Sequence, residues 1–142
     1  MARSRAATGA PWRSRSAGRT HAEYMTIPED GSVATIPGLS FEEAAPSTEG
    51  LHYALANLRA ANVGVGSDVL IYGATGAIGS AAVQLAKSLG ASVTGVCRGE
   101  HVPLVASLGA DYVIDYTTED FTVLGANYDV VFDAVGKTSF AR

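Results

Sequence analysis

Seven consecutive residues carry the clearest chemistry in this chain: Gly73, Ala74, Thr75, Gly76, Ala77, Ile78 and Gly79. The apolar run Val69-Leu70-Ile71-Tyr72 leads into them, and a helix-patterned run, Ser80 to Leu89, leads out. Strand, glycine turn and helix form the setting in which such a motif holds a pyrophosphate. The chain must bend sharply at 73–75, where side chains would crowd the turn. Gly76 has no Cβ, so a bulky anion can approach the backbone. Gly79, one turn into the helix, lets helix and strand pack closely. The helix start offers unpaired N–H groups and the positive end of its dipole. In the usual G-x-G-x-x-G frame the first position falls on Ala74, so the match is a variant. An ordinary tight turn with no ligand is the competing reading.

The surrounding elements decide what such a turn can be part of. Residues 21–38 alternate weakly and have turn signals at Pro28-Glu29-Asp30-Gly31 and Pro37-Gly38, which predicts two short strands. Ser40 and Glu43 form a capping box that opens a short helix, with Pro46 expected to end it. Thr48 is expected to cap the next helix, 49–61, with Leu51, Leu55 and Leu58 as its buried stripe. Gly64–Asp68 reads as a turn.

From Val69 the pattern alternates strand and helix. The expected strands are Val69–Tyr72, Ser92–Cys97, Tyr112–Asp115 and Asp129–Val135, nearly continuous apolar runs as in a sheet covered on both faces. Helices are expected at 77–89, stopped by Gly90, and at 101–108, stopped by Gly109. One more helical turn should open at Thr117–Asp120. This alternation implies right-handed βαβ crossovers and an α/β, Rossmann-type parallel sheet of order 3-2-1-4. The order reverses between the first and fourth strands. A ligand crevice should open there, where the glycine turn faces Val135 and Gly136.

Composition narrows the function. The chain has 142 residues, 47% of them hydrophobic, with a mean hydropathy of +0.16; this suits one globular core and no bilayer-spanning stretch. Residues 1–20 hold five arginines and no acid. Residues 21–142 hold five basic and fourteen acidic residues, a formal net charge of −9. That balance argues against nucleic acid as a partner. The Arg/Ser-rich start can be read as a transit peptide, but it lacks an amphipathic apolar face. The reading adopted is a leader outside the fold, with the protein in the cytoplasm. Cys97 is the single cysteine and excludes an internal disulfide. His21, His52, His101 and Cys97 fit no zinc-ligand spacing, so no metal site is expected, and no nucleophile–base arrangement marks a catalytic residue.

Taken together, Val69–Gly79 with Val83-Gln84-Leu85-Ala86-Lys87, Val93–Cys97, Ser107–Tyr116 and Asp129–Gly136 resemble the medium-chain dehydrogenase/reductase superfamily, in its zinc-independent, quinone-oxidoreductase-like branch. His21-Ala22-Glu23-Tyr24 resembles the hand-over from that family's catalytic domain. The resemblance covers about 21–142 and implies a longer, two-domain enzyme. It divides this chain into a leader (1–20), a remnant of a GroES-like catalytic domain (21–46) and a partial dinucleotide-binding domain (47–142). The implied activity is hydride transfer from a nicotinamide cofactor to a quinone, enone or alcohol, in a fragment of impaired activity. Two other readings stay open: a short-chain, NmrA-like reductase or redox sensor, and a non-catalytic dinucleotide-binding remnant.

Cofactor choice is read at the end of the second strand. An acid there would favour NAD; here the strand ends Cys97-Arg98-Gly99. Arg98 can pair with a 2′-phosphate through its planar fork, and Tyr116 matches a family tyrosine beside that phosphate. NADP is therefore expected over NAD. Glu100 is a counter-signal, able to take the ribose hydroxyl. By the resemblance, His101 stands where some members place a phosphate-contacting lysine, and His52 where the family often has a threonine near the nicotinamide. The fourth strand, apolar but at the sheet edge, is expected to drive self-association.

Overall fold

The computed structural model describes residues 37–136; the leader and the strands expected over 21–38 lie outside them, apart from Pro37 and Gly38, which form a turn. The chain divides into two compact units between Thr48 and Glu49, inside the first helix, α1 (Phe41–Ala60). The capping box forms as expected. The Ser40 backbone N–H donates to Glu43 Oε2 at 2.8 Å, and the Glu43 N–H donates to Ser40 Oγ at 3.2 Å. The Ser40 backbone N–H first, then the Ser40 hydroxyl, hold the Glu43 carboxyl below its usual range. Pro46, however, does not end the helix. A proline removes one helical N–H, and α1 continues through it. Thr48 is no cap either: its hydroxyl donates to the Ala45 carbonyl at 3.1 Å, and Ser47 does the same to Ala44 at 2.8 Å.

The end of α1 is a Schellman motif. Asn62 takes the left-handed conformation (φ 54°), its N–H donates to Arg59 O at 3.0 Å, and the Val63 N–H donates to Leu58 O at 3.0 Å. Beyond Glu49 the buried face of α1 is Gly50, Ala54 and Leu58, while Leu51 is exposed and Leu55 half-buried. The expected leucine stripe is thus shifted. The helix comes so close to α2 that a Cβ on Gly50 would overlap the Ala77 carbonyl. Contact at that range selects small residues.

The remaining elements follow in order: β1 (Asp68–Tyr72), α2 (Ala77–Ser88), β2 (Ser92–Cys97), a 3₁₀ turn (Gly99–His101), α3 (Val102–Ser107), β3 (Tyr112–Asp115) and β4 (Val130–Asp133). The sheet is parallel throughout, with order β3-β2-β1-β4. The α/β Rossmann-like architecture is therefore as expected. The fourth strand is shorter than expected, because the Asp133 carboxylate turns the chain by accepting the Val135 and Gly136 N–H groups, both at 2.8 Å. Over Thr117–Asp120 one turn forms without growing into a helix: the Thr118 and Glu119 N–H groups donate to Asp115 O at 3.1 and 2.9 Å. Asp115 and Asp120 each bond the N–H and the hydroxyl of the threonine two residues on, and these bonds close single turns instead.

The core lies between the sheet and α1, α2 and α3. Val69, Ile71, Ala82, Val83, Ala86, Val93 and Val105 are fully buried in it. Leu70, Val96 and Ile114 pack on the sheet's other face with Tyr72, Phe121 and Tyr128. Helix α2 ends as α1 does. Gly90 (φ 88°) donates to Lys87 O at 3.0 Å and Ala91 donates to Ala86 O at 3.1 Å.

Candidate functional site

At the carboxyl end of β1 the chain turns immediately. The Gly73 and Ala74 N–H groups both donate to Val96 O at 3.1 Å, which pins the turn to β2. Gly73 has φ 78°, and a Cβ there would strike the Val135 side chain. The tip of β4 therefore closes over the tip of β1, as the strand reversal requires.

The three glycines do different work. A Cβ on Gly79 would overlap the Gly73 carbonyl, so Gly79 is needed for helix–strand contact alone. A Cβ on Gly76 would meet only Gly73 O at 3.7 Å, an ordinary contact, and Gly76 has extended backbone (φ −72°, ψ 167°). The fold makes no steric demand for glycine at 76. The absent side chain leaves room in front of the α2 N-terminus, which no side chain caps. An uncapped N-terminus of a 12-residue helix beside bare backbone fits a pyrophosphate.

A crevice of about 310 Å³ opens beside this turn. Gly73, Thr75 and Val135 line it. Arg98, Glu100, His101 and Tyr116 line it too, as do Tyr72 and Cys97. Of the residues expected to hold a cofactor, Gly73, Thr75, Arg98, Tyr116 and Val135 thus come together. Ala74 is fully buried and contributes packing; Ile78 is half-buried against the core and Gly79 buried. Gly76, Ala77 and Gly136 are exposed near the rim of the turn, outside the lining itself. His52 is not brought to the crevice: it is exposed on α1, its ring edge-on to Tyr53 at 5.8 Å.

Arg98 and Glu100 lie 3.7 Å apart with both side chains 62% exposed, and His101 Nε2 is 3.6 Å from the same Glu100 oxygen. Exposed pairs at this range are weak and exchange readily with an incoming anion. Burial pushes the Cys97 thiol up, and the Asp115 charge adds to it, so Cys97 stays a neutral thiol. The Thr117 hydroxyl and N–H hold the Asp115 carboxyl below its usual range, helped by the Gly99 N–H and the Arg98 charge.

Tyr72, Cys97 and Asp115 had no functional reading in the sequence. Tyr72 looked like a strand end, though its place directly before Gly73 puts it at any ligand there. Asp115 announces itself by Asp-x-Thr spacing, which favours a carboxylate bonded to its own downstream backbone. Among the described residues no group of three or more His, Cys, Asp or Glu is placed to hold a metal ion, and no helix is long and apolar enough to cross a membrane.

Residues 77–142 match a family described as zinc-binding dehydrogenase. The chain is 41% identical over 119 residues to a 2-methylene-furan-3-one reductase of Solanum lycopersicum, which covers 82% of this chain and 30% of the relative. It is 38% identical over 117 residues to a chloroplastic NADPH-dependent alkenal/one oxidoreductase of Arabidopsis thaliana, covering 81% of this chain and 30% of that one. The quinone oxidoreductase from Coxiella burnetii superimposes with a TM-score of 0.70 at 34% identity, over 74% of this chain and 34% of that one. The chain thus spans about a third of the length of these relatives. On this parallel sheet and these relatives, the chain belongs to the medium-chain dehydrogenase/reductase superfamily.

Proposed function

We propose that this chain supplies the nucleotide-holding part of an NADPH-dependent oxidoreductase acting on quinones, enones or related small carbonyl compounds. The bound nicotinamide would supply hydride. The chain's own residues hold and orient the nucleotide: the α2 N-terminus and Gly76 take the pyrophosphate, Arg98 and Tyr116 the 2′-phosphate, and Val135 lines the crevice with Gly136 beside it at the rim. The observation that carries this reading is the convergence of Arg98 and Tyr116, from two different strand tips, on the crevice that begins at Gly73. The reductase of tomato and the NADPH-dependent oxidoreductase of Arabidopsis support the same class of substrate and cofactor.

The reaction needs no zinc in this reading, the sheet edge at β4 pairs with a second copy, and the protein works in the cytoplasm. The chloroplastic relative makes that last point worth testing directly, by imaging a tagged chain. Catalytic residues are not assigned within 37–136.

Nucleotide titration of Arg98→Ala tests the cofactor assignment. A charge-assisted pair contributes about 1.5–3 kcal/mol, so NADPH should bind at least about tenfold more weakly, with NADH little changed. Equal losses for both nucleotides would remove the 2′-phosphate from Arg98.

A further inference from the structure

We infer that Asp115 is a positioning residue for cofactor discrimination, its carboxylate holding the Arg98–Gly99 turn at the crevice so that the guanidinium meets a 2′-phosphate. The inference rests on the reading that Arg98 is the phosphate ligand. Asp115 ends β3 and is in register with Cys97, which ends β2. Its Oδ1 accepts the Thr117 N–H at 2.9 Å and the Thr117 hydroxyl at 2.7 Å, so the carboxylate is fixed from its own strand. Its Oδ2 lies so close to Gly99 that a Cβ there would overlap it. The Tyr116 N–H donates to Cys97 O at 3.1 Å and ties the two strand tips together once more. The turn carrying Arg98 therefore rests on a carboxylate held by two bonds to Thr117.

The second carboxylate near Arg98 behaves differently. Glu100 is mostly exposed, 3.7 Å from the guanidinium, and has no comparable anchor among the bonds described. An arriving phosphate dianion can take Glu100's place beside Arg98. It cannot displace Asp115, which is bonded twice to Thr117. One acid is thus the exchangeable partner of Arg98, and the other sets where Arg98 stands.

The experiment titrates the full chain with NADPH and with NADH, following nicotinamide fluorescence, together with the melting temperature. Asp115→Ala should weaken NADPH by about three- to tenfold, as expected for losing one or two net hydrogen bonds, and change NADH by less than about twofold. Asp115→Asn keeps an acceptor oxygen for Thr117 but sets an NH2 donor against the Gly99 N–H, so it should recover only part of the NADPH affinity, less than the parent and more than Asp115→Ala. Thr117→Val removes only the hydroxyl bond and should give a smaller loss in the same direction; it carries the test if Asp115→Ala does not fold. In an Arg98→Ala background, Asp115→Ala should cost NADPH nothing further. Equal weakening of both nucleotides by Asp115→Ala, or an NADPH loss that persists without Arg98, would make Asp115 merely structural and overturn the inference. Should Arg98→Ala itself leave the NADPH-to-NADH ratio unchanged, the phosphate assignment fails, and the positioning role falls with it.

Discussion

Strands β1 and β4 are hydrogen-bonded neighbours with similar apolar centres, yet they are covered very differently. Val69, Leu70 and Ile71 of β1 are all 0% exposed, while Val131 of β4 is 38% exposed and Val130 and Phe132 only half-buried. Position in the sheet accounts for the difference. β1 has β2 on one side and β4 on the other, and packed residues on both faces. β4 has a strand on one side only among the described residues. An apolar strand with an open edge is a template for another strand. The comparison teaches that composition tells how a strand can be buried, and topology tells whether it is.

The largest effect that could break this comparison is on stability. Ile71→Ala empties a fully buried site and should cost about 2–5 kcal/mol in urea unfolding. Val131→Ala, at a site already open to water, should cost less than about 1 kcal/mol. Similar losses at both positions would mean that β4 is buried in solution.

The glycine turn offers the same contrast at closer range. Gly79→Ala drives a methyl into the Gly73 carbonyl and should destabilise by about 1–3 kcal/mol or more. Gly76→Val meets no such obstacle, so the variant should melt near the parent temperature. Its side chain nevertheless fills the space in front of the α2 N-terminus and should weaken NADPH and NADH alike. A folded Gly76→Val chain with unchanged affinity would show that the anion does not sit there.

Much of this was legible in the sequence because parallel strands are apolar along their whole length. Val69–Tyr72 and Ser92–Cys97 announce themselves, and Gly90 and Gly109 mark where helices stop. The strand order followed from the crossovers. What could not be read there depends on close approach. Leu51 has helical spacing to Leu55 and Leu58, yet Gly50 and Ala54 face the interior, because α2 comes too near for a leucine. Pro46 looked like a stop, but one missing N–H did not interrupt a helix whose start the Ser40–Glu43 box fixes. The crevice was half legible. Arg98, read from its place after the second strand, and Tyr116, expected from the family resemblance, both line it. Asp115 was not legible, since only register brings it beside Gly99.

A second difference between β1 and β4 concerns assembly rather than stability. If the open edge recruits a second chain, Val131→Lys should abolish self-association in light scattering while shifting unfolding by no more than about 0.5 kcal/mol. A parent chain that is already monodisperse and monomeric would show that the β4 edge is covered in some other way.

The smallest effect lies at the amino end of the sheet, opposite the crevice. Asp111 takes Lys87 Nζ at 2.8 Å on each carboxylate oxygen and the Val93 N–H at 2.7 Å on Oδ2, joining the end of α2 to the start of β2. The Lys87 ammonium first, then the Val93 N–H, hold the Asp111 carboxyl below its usual range. Its pKa is thus lower folded than unfolded, so its contribution is fully present above the unfolded value, about 3.9, and is lost as pH falls through the folded value. Both side chains are about a third exposed, so water screens the pair. Asp111→Asn should therefore cost about 1 kcal/mol or less at pH 7. That difference should shrink as pH falls below the unfolded value and through the lowered folded one, where the parent carboxyl is itself protonated. Because Asp111 stands at the far end of β3 from Asp115, its loss should leave the NADPH-to-NADH ratio unchanged. A pH-independent difference would assign the stabilisation to packing, and a changed ratio would mean that the two ends of β3 are coupled through the strand.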